Sequence, residues 1–113
     1  MILIKLLIAG SRTIREFDLT DYVPSNTTLI ISGGAQGIDS IAEQFANEYR
    51  ISKLILLPRY NLFGKAAPLK RNETMIDFAD EVLVIWDGIS RGTKYTIDYA
   101  RKKKKPLTIV ICK

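Results

Sequence analysis

The stretch LIISGGAQGIDSIAEQFANEY, residues 29–49, holds an apolar run, a glycine-rich turn and a helical pattern in immediate succession. The apolar run at 28–31 ends at Ser32, and three glycines follow within the next five residues. Apolar side chains then recur at three- and four-residue spacing, at Ile38, Ile41, Ala42, Phe45, Ala46 and Tyr49. Because this spacing places them on one face of a helix, the stretch predicts a strand that turns directly into an amphipathic helix.

Four more apolar runs lie outside this stretch, and each is rich in Ile, Leu and Val. They occupy residues 2–9, 53–57, 81–86 and 107–111. The runs show little alternation of apolar and polar residues, which is typical of parallel strands covered on both faces. The sequence therefore predicts five strands in one parallel sheet.

Helical patterns separate most of these runs. Two of them lie at 69–79 and 93–103, and we expect a short helix within 14–23 that ends near Pro24. A repeated strand–helix–strand order indicates an open parallel sheet with right-handed crossovers. With 113 residues, the chain fits a single domain, 1–113. We predict an α/β fold, a Rossmann-like three-layer sandwich around a five-stranded parallel sheet.

Composition excludes several kinds of chemistry. The chain has no histidine and one cysteine, Cys112, so it lacks the commonest metal ligand and the commonest general base. Zinc sites, Ser-His-Asp catalysis and an internal disulfide are excluded, and we expect neither a metal nor a cofactor. The first ten residues, MILIKLLIAG, are about half as long as a membrane span and lack the features of a signal peptide. We expect a cytoplasmic protein with no membrane partner.

The formal charge of +5 is partly local. Five of the 17 cations form the run Arg101–Lys105, and the remaining 12 balance the 12 acidic residues. Cations at the end of a predicted helix are favoured by its dipole, so the run is explained as a solvated helix end. The alternative is a patch that attracts anions or contacts RNA.

Glycines and polar residues follow three of the predicted strands, at the carboxyl ends where open α/β sheets bind ligands. The candidate ligand-binding residues there are Gly10, Ser11, Arg12, Gly33, Gly34, Ala35, Gly37, Asp39, Asp87, Gly88, Ser90, Gly92 and Thr93. Arg71 and Asn72 lie on the helix after the third strand, and we expect them to point back toward the same cleft.

Phosphate binding would use these residues in two ways. Glycine turns that open a helix let backbone N–H groups approach an anion, and Arg12 is suited to bidentate contact with a phosphate. Asp39 is either a helix cap or a ligand to a ribose hydroxyl. The turns match neither the dinucleotide nor the P-loop fingerprint. Tight packing turns, and a solvated face for Arg71 and Asn72, remain the alternatives.

Several segments together carry a family resemblance. They are Gly10-Ser11-Arg12, Gly33-Gly34-Ala35 with Gly37 and Asp39, Pro58 with Gly64-Lys65-Ala66-Ala67, Arg71-Asn72 with Met75, Ala79-Asp80, and Trp86-Asp87-Gly88 with Ser90, Gly92 and Thr93. Their order, along nearly the whole chain, resembles the SLOG superfamily. That superfamily joins the Lonely Guy phosphoribohydrolases, the DNA-processing protein DprA and the YspA/YpsA-like proteins, and the small YspA-like branch is the most similar.

The resemblance implies a Rossmann-like fold with strand one central and the order 3-2-1-4-5. It also implies a nucleotide or a nucleotide-derived ligand related to ADP-ribose. The Lonely Guy motif Pro-Gly-Gly-x-Gly-Thr-x-x-Glu has a glutamate that assists cleavage of the N-glycosidic bond. In this chain that position falls on Thr96, which cannot act as a general base.

The sequence therefore favours binding over hydrolysis, as a sensor or a sequestering protein for a nucleotide-like small molecule. The first alternative is a nucleotide-processing N-glycosidase of the phosphoribohydrolase type. The second is DprA-like nucleic-acid binding, in which the run Arg101–Lys105 extends the path of the strand. An open sheet of this size is also suited to forming a homo-oligomer.

Overall fold

The computed structural model describes residues 2–113 and places five strands and four α-helices among them. The elements are β1 Ile4–Gly10, β2 Thr27–Ser32, α1 Ile38–Glu48, β3 Ser52–Ile55, α2 Tyr60–Phe63, a 3-10 turn Gly64–Ala66, α3 Ala67–Phe78, β4 Glu81–Trp86, α4 Arg91–Lys102 and β5 Leu107–Ile111. All neighbouring strands pair in parallel, in the order β3-β2-β1-β4-β5. The predicted fold class and strand order are confirmed.

Two apolar clusters fill the space on the two faces of the sheet. Leu6 and Ile8 of β1 point toward α1, whereas Leu7 between them belongs to the cluster on the side of α3 and α4. All three side chains are almost fully buried. This alternation follows from the two-residue period of a strand, so a central strand contributes to both layers of the core.

The prediction that each strand is covered on both faces is confirmed for the three inner strands and wrong for the two edge strands, β3 and β5. In β3 the first three residues are exposed, and β5 has exposed or half-buried positions throughout. An edge strand has one neighbour rather than two, and the helices cover the centre of the sheet first. An apolar composition alone does not distinguish an edge strand from an inner one.

The expected short helix within 14–23 is also wrong: no helix forms there in the described chain. The segment instead crosses the α1 face as a loop, with Ile14 and Leu19 inserted into the core. Asp18 accepts hydrogen bonds from the backbone N–H and the hydroxyl of Thr20. Such local bonds compete with helix formation. The segment is held instead by the burial of Ile14 and Leu19 in the core.

The other boundaries move by a few residues. α3 begins at Ala67 with Pro68 in its first turn, a position that tolerates the missing N–H of proline. α4 begins at Arg91, two residues before the predicted start. The short α2 and the 3-10 turn were not predicted. No helix within residues 2–113 has the length and apolarity that crossing a membrane requires.

The parallel order brings the carboxyl ends of all five strands to one edge of the sheet. From β1 the chain goes to β2 on one side, whereas β4 lies on the other side and is reached from β3 through α3. The direction of winding therefore reverses at β1, and a crevice is expected beyond its carboxyl end.

Candidate functional site

A cleft of about 420 Å³ lies beyond the carboxyl end of β1. Its wall includes the end of β1 and the starts of α3 and α4. Nine of the residues expected from the sequence line it: Gly10, Arg12, Ala35, Asp39, Arg71, Asn72, Ser90, Gly92 and Thr93. The fold therefore brings together residues from the turns after β1, β2 and β4 and from α3.

A second cavity of about 440 Å³ adjoins the cleft and shares Arg12, Ala35 and Arg71 with it. Gly33 and Gly34 line this second cavity. Four of the expected residues line neither space, namely Ser11, Gly37, Asp87 and Gly88. The contacts of Ser11, Gly37 and Asp87, described next, are with other parts of the chain, and Gly88 has φ 85° in the loop after β4.

Gly37 and Gly10 keep the turns close together. Gly37 has φ 72° and ψ −126°, and a β-carbon there would lie 2.6 Å from the carbonyl oxygen of Arg12 and closer still to that of Ser11. A β-carbon at Gly10 would lie 2.7 Å from Cγ1 of Ile38. Both glycines allow α1 to pack against the segment that follows β1, which is the packing alternative considered from the sequence.

Ser11 joins three segments beneath the cleft. Its hydroxyl accepts a hydrogen bond from the N–H of Asp87 at 3.0 Å, and its carbonyl accepts one from the N–H of Ile38 at 3.3 Å. The residue is 1% exposed. Its side chain holds the loop after β4 against the loop after β1 and is not presented to a ligand.

Asp87 organises the loop that leads into α4. One carboxylate oxygen accepts from the N–H groups of Ile89 and Ser90, and the other accepts from the hydroxyls of Ser90 and Thr13. The backbone hydrogen bond from Ser90 is the largest of several that hold the pKa of Asp87 far below its ordinary value. Since both oxygens are engaged within the chain, Asp87 shapes the rim of the site.

The start of α1 already holds a carboxylate from the chain itself. Asp39 is 8% exposed, and its carboxylate accepts a hydrogen bond from the N–H of Ala35 at 3.1 Å. Burial raises the pKa of Asp39, while the bond from Ala35 and the charge of Arg71 oppose that rise. A bound anion at this helix start would meet the negative charge of Asp39 directly.

The start of α4 is different. Asp87, before the helix, accepts from the N–H and the hydroxyl of the N-cap Ser90, but no acidic residue lies in the first turn itself, and a β-carbon added at Gly92 would meet nothing within 4 Å. The first amides of a helix have no acceptor within the helix, and the helix dipole favours an anion beside them. Ser90, Gly92 and Thr93 all line the cleft, so α4 offers a more suitable anion position than α1.

Arg71 is largely committed to the chain. Its Nη1 donates to the carbonyls of Gly33 and Leu56, and its Nε donates to Oδ1 of Asn72 at 2.8 Å. Partial burial is the main reason that its pKa is lowered, and the charge of Asp39 opposes this shift. The donors left for a ligand are those of Nη2, so Arg71 contributes charge to the cleft without an open two-nitrogen fork.

Arg12 has the opposite character. It is exposed, it lines both the cleft and the second cavity, and within residues 2–113 its guanidinium makes no hydrogen bond to the chain. An unengaged guanidinium keeps the parallel pair of donors that suits a phosphate or a carboxylate. Of the two arginines expected from the sequence, Arg12 is therefore the one with the geometry for bidentate contact.

A chain of hydrogen bonds connects Arg71 with the start of α4. Asn72 accepts from Arg71 and donates through Nδ2 to the hydroxyl of Thr96 at 3.2 Å. Thr96 in turn donates to the carbonyl of Gly92 at 3.2 Å and is 3% exposed. These bonds orient the Asn72 amide, with its oxygen toward Arg71 and its nitrogen toward Thr96, and they link α3 with α4 across the cleft.

Six lining residues were not among the sequence candidates: Ala9, Thr13, Pro68, Leu69, Met75 and Thr96. Apolar residues on a predicted helix are normally assigned to the core, and Met75 is indeed 3% exposed. Pro68 lies three residues before Arg71 in the sequence, and this closeness is the signal that could have marked the start of α3 as a wall of the site.

No metal-binding cluster of three or more His, Cys, Asp or Glu residues occurs in the part of the chain that the structure covers. Comparison of the sequence and structure with protein-family models, curated proteins and solved structures found no match. The class of protein defined by the fold is thus a Rossmann-like α/β domain, with one candidate site at the switch point of its sheet.

Proposed function

We propose that this chain binds a nucleotide or a nucleotide-derived ligand by its phosphate. The observation that carries the proposal is the pairing of the first turn of α4 with the guanidinium of Arg12 along one cleft. Amides at a helix start and an unengaged guanidinium are complementary to a phosphate in both charge and hydrogen bonding. The resemblance to the SLOG superfamily supports the same class of ligand, including compounds related to ADP-ribose.

The remaining wall supports a nucleotide rather than a bare phosphate. Pro68, Leu69 and Met75 give the cleft an apolar side, where a base or the carbon face of a sugar would lie. Asn72 adds an oriented amide on that same side of the cleft. A volume of about 420 Å³ is within the range of small-molecule pockets, roughly 300–1,000 Å³.

The absence of a base at Thr96 favours binding without cleavage. Its hydroxyl is engaged between Asn72 and Gly92, and a threonine does not accept a proton as a carboxylate does. We accordingly assign the chain the role of a sensor or a sequestering protein. The assignment is tested by incubating the protein with a panel of nucleotides and measuring free base by chromatography. Release of free base would contradict the assignment and would favour the phosphoribohydrolase alternative.

Native mass spectrometry of the purified protein, followed by calorimetry with AMP, ADP and ADP-ribose, tests the proposal. Replacing Arg12 with alanine is expected to weaken binding by about 10- to 100-fold, because hydrogen bonds to charged groups contribute roughly 1.5–3 kcal/mol. Arg101→Ala is the matched control, since it removes one exposed cation at the end of α4. Equal affinity in the Arg12 and Arg101 variants, or no binding by the wild type, would refute the proposal.

A further inference from the structure

A groove of about 700 Å³ lies on the α3 side of the sheet, bounded by β3, the segment that follows β3, α2 and the start of α3. We call it the β3 groove. Leu54 of β3 pairs in register with Ile31 of β2, and Ile31 belongs to the cluster beneath α3 and α4. Leu54 therefore points to the face that those helices cover elsewhere, yet it remains 37% exposed. The helical layer is incomplete over this edge strand.

The floor and rim of the β3 groove are apolar. Leu57 is 66% exposed, Leu62 is 60% exposed and Phe63 is 46% exposed, and all three line it together with Leu54. The four-residue helix α2 buries none of its residues. Single exposed apolar residues are normal on a protein surface, whereas a contiguous apolar patch with a polar rim marks an interaction site.

The charged side chains that line the groove are all cationic. Between Glu48 and Glu73 the chain contains no acidic residue, and its cations there are Arg50, Lys53, Arg59, Lys65, Lys70 and Arg71. Arg59, Lys70 and Arg71 line the groove itself. Lys70 also lies 3.9 Å from Glu73, an exposed pair that contributes little. An occupant that buries the leucines must therefore place acidic groups opposite Arg59 and Lys70.

We propose that the β3 groove is the docking surface for an amphipathic helix of a partner protein, with leucine-like residues on one face and Asp or Glu along its flanks. A helix laid in an apolar groove is a recurring recognition mode, and here it would complete the helical layer over β3. A second copy of this chain lacks such a helix, because its long helices already turn their apolar faces to the sheet. In α1 that face is Ile38, Ala42 and Ala46, and in α4 it includes Ile97 and Ala100.

This inference goes beyond the proposed function and does not depend on it, but the two sites are adjacent. Arg71 lines the groove as well as the cleft, and it donates to the carbonyl of Leu56 just after β3. A partner that contacts the groove would thus lie against the same side chain that faces the ligand.

The test uses the whole chain labelled with ¹⁵N and a designed probe. The probe is an acetylated peptide of about 15 residues, a length near the limit for an isolated helix, with Leu at i, i+3, i+4 and i+7 and Glu at the flanking positions. A peptide with Lys in place of every Glu is its control. The acidic peptide is expected to shift the amide signals of Leu57, Leu62 and their neighbours, with affinity that falls as salt is raised.

Leu62→Glu is expected to reduce that affinity by tenfold or more, because Leu62 is exposed and its replacement leaves the core intact. Ile2→Glu is the control variant, since Ile2 is 82% exposed and precedes β1 at the opposite end of the sheet. Equal binding of the acidic and basic peptides, or no shift with either, would overturn the proposal. So would self-association in sedimentation that is lost in Leu62→Glu, or displacement of the peptide by a single-stranded oligonucleotide. Those results would assign the groove to a second copy or to nucleic acid.

Discussion

Gly37 and Gly92 both stand where a strand exit leads into a helix, and the structure gives them opposite sensitivities to alanine. Gly37 has φ 72° and ψ −126°, and an added β-carbon would press on the carbonyls of Ser11 and Arg12. Gly92 lies in the first turn of α4, and an added β-carbon would meet nothing within 4 Å. The pair separates a glycine needed for packing from one that faces open space.

The magnitude for Gly37→Ala has two parts. A non-glycine residue in a sparsely populated backbone region costs of order 1–3 kcal/mol, and relief of the overlap with the Arg12 carbonyl requires a shift of the backbone itself. We expect a loss of about 3 kcal/mol or more, a large part of the roughly 5–15 kcal/mol that stabilises a typical domain. At roughly 4 °C per kcal/mol for a chain of this size, the Tm should fall by about 12 °C.

Gly92→Ala should leave the Tm unchanged or slightly higher, because alanine is favoured over glycine in a helix by up to about 1 kcal/mol. The same variant should bind AMP or ADP-ribose more weakly, since Gly92 lines the cleft and its added methyl group would occupy open space beside the ligand. Thermal unfolding by circular dichroism and calorimetric titration measure the two effects separately. The reasoning fails if Gly37→Ala melts at the wild-type temperature, or if Gly92→Ala lowers stability as much as Gly37→Ala does.

Three other outcomes follow from the same contacts. Because the pKa of Asp87 is lowered from its ordinary 3.8, its stabilising contribution is complete above about pH 4 and is lost as the pH falls through the lower folded-state pKa. Asp87→Asn should therefore flatten the acid limb of a denaturation curve measured against pH, and an unchanged limb would contradict this. Lys104 follows α4 with φ 58°, so Lys104→Gly should raise stability by about 0.5–1 kcal/mol, measured by urea unfolding; a decrease would count against that conformation. Thr96→Val keeps the side-chain volume but removes the hydrogen bonds to Asn72 and Gly92, so urea unfolding should show a loss of about 1–2 kcal/mol of stability. Thr96→Ser keeps the hydroxyl and is the control that should retain this stability.

The parallel sheet could be predicted from the sequence because its signal is local. Uninterrupted Ile, Leu and Val runs such as 82–85, together with a clear helical period at 38–49, leave few alternatives to strands and crossover helices. The grouping of candidate residues also followed from this, because parallel strands end at the same edge. The loop at 14–23 was misjudged because Ile14 and Leu19 are held by the tertiary core and not by a helical period.

Which candidate does what was decided only by tertiary structure. Arg12 and Arg71 are equivalent in a sequence, yet one makes no bond to the described chain and the other is bonded to two carbonyls distant along it. Likewise, Gly37 and Gly92 look alike until the neighbouring backbone is in place. The sequence by itself determined the sheet and the edge at which its glycines and arginines meet, since both depend on composition and period. The availability of each donor depends on contacts between residues far apart in the chain, which no local pattern records.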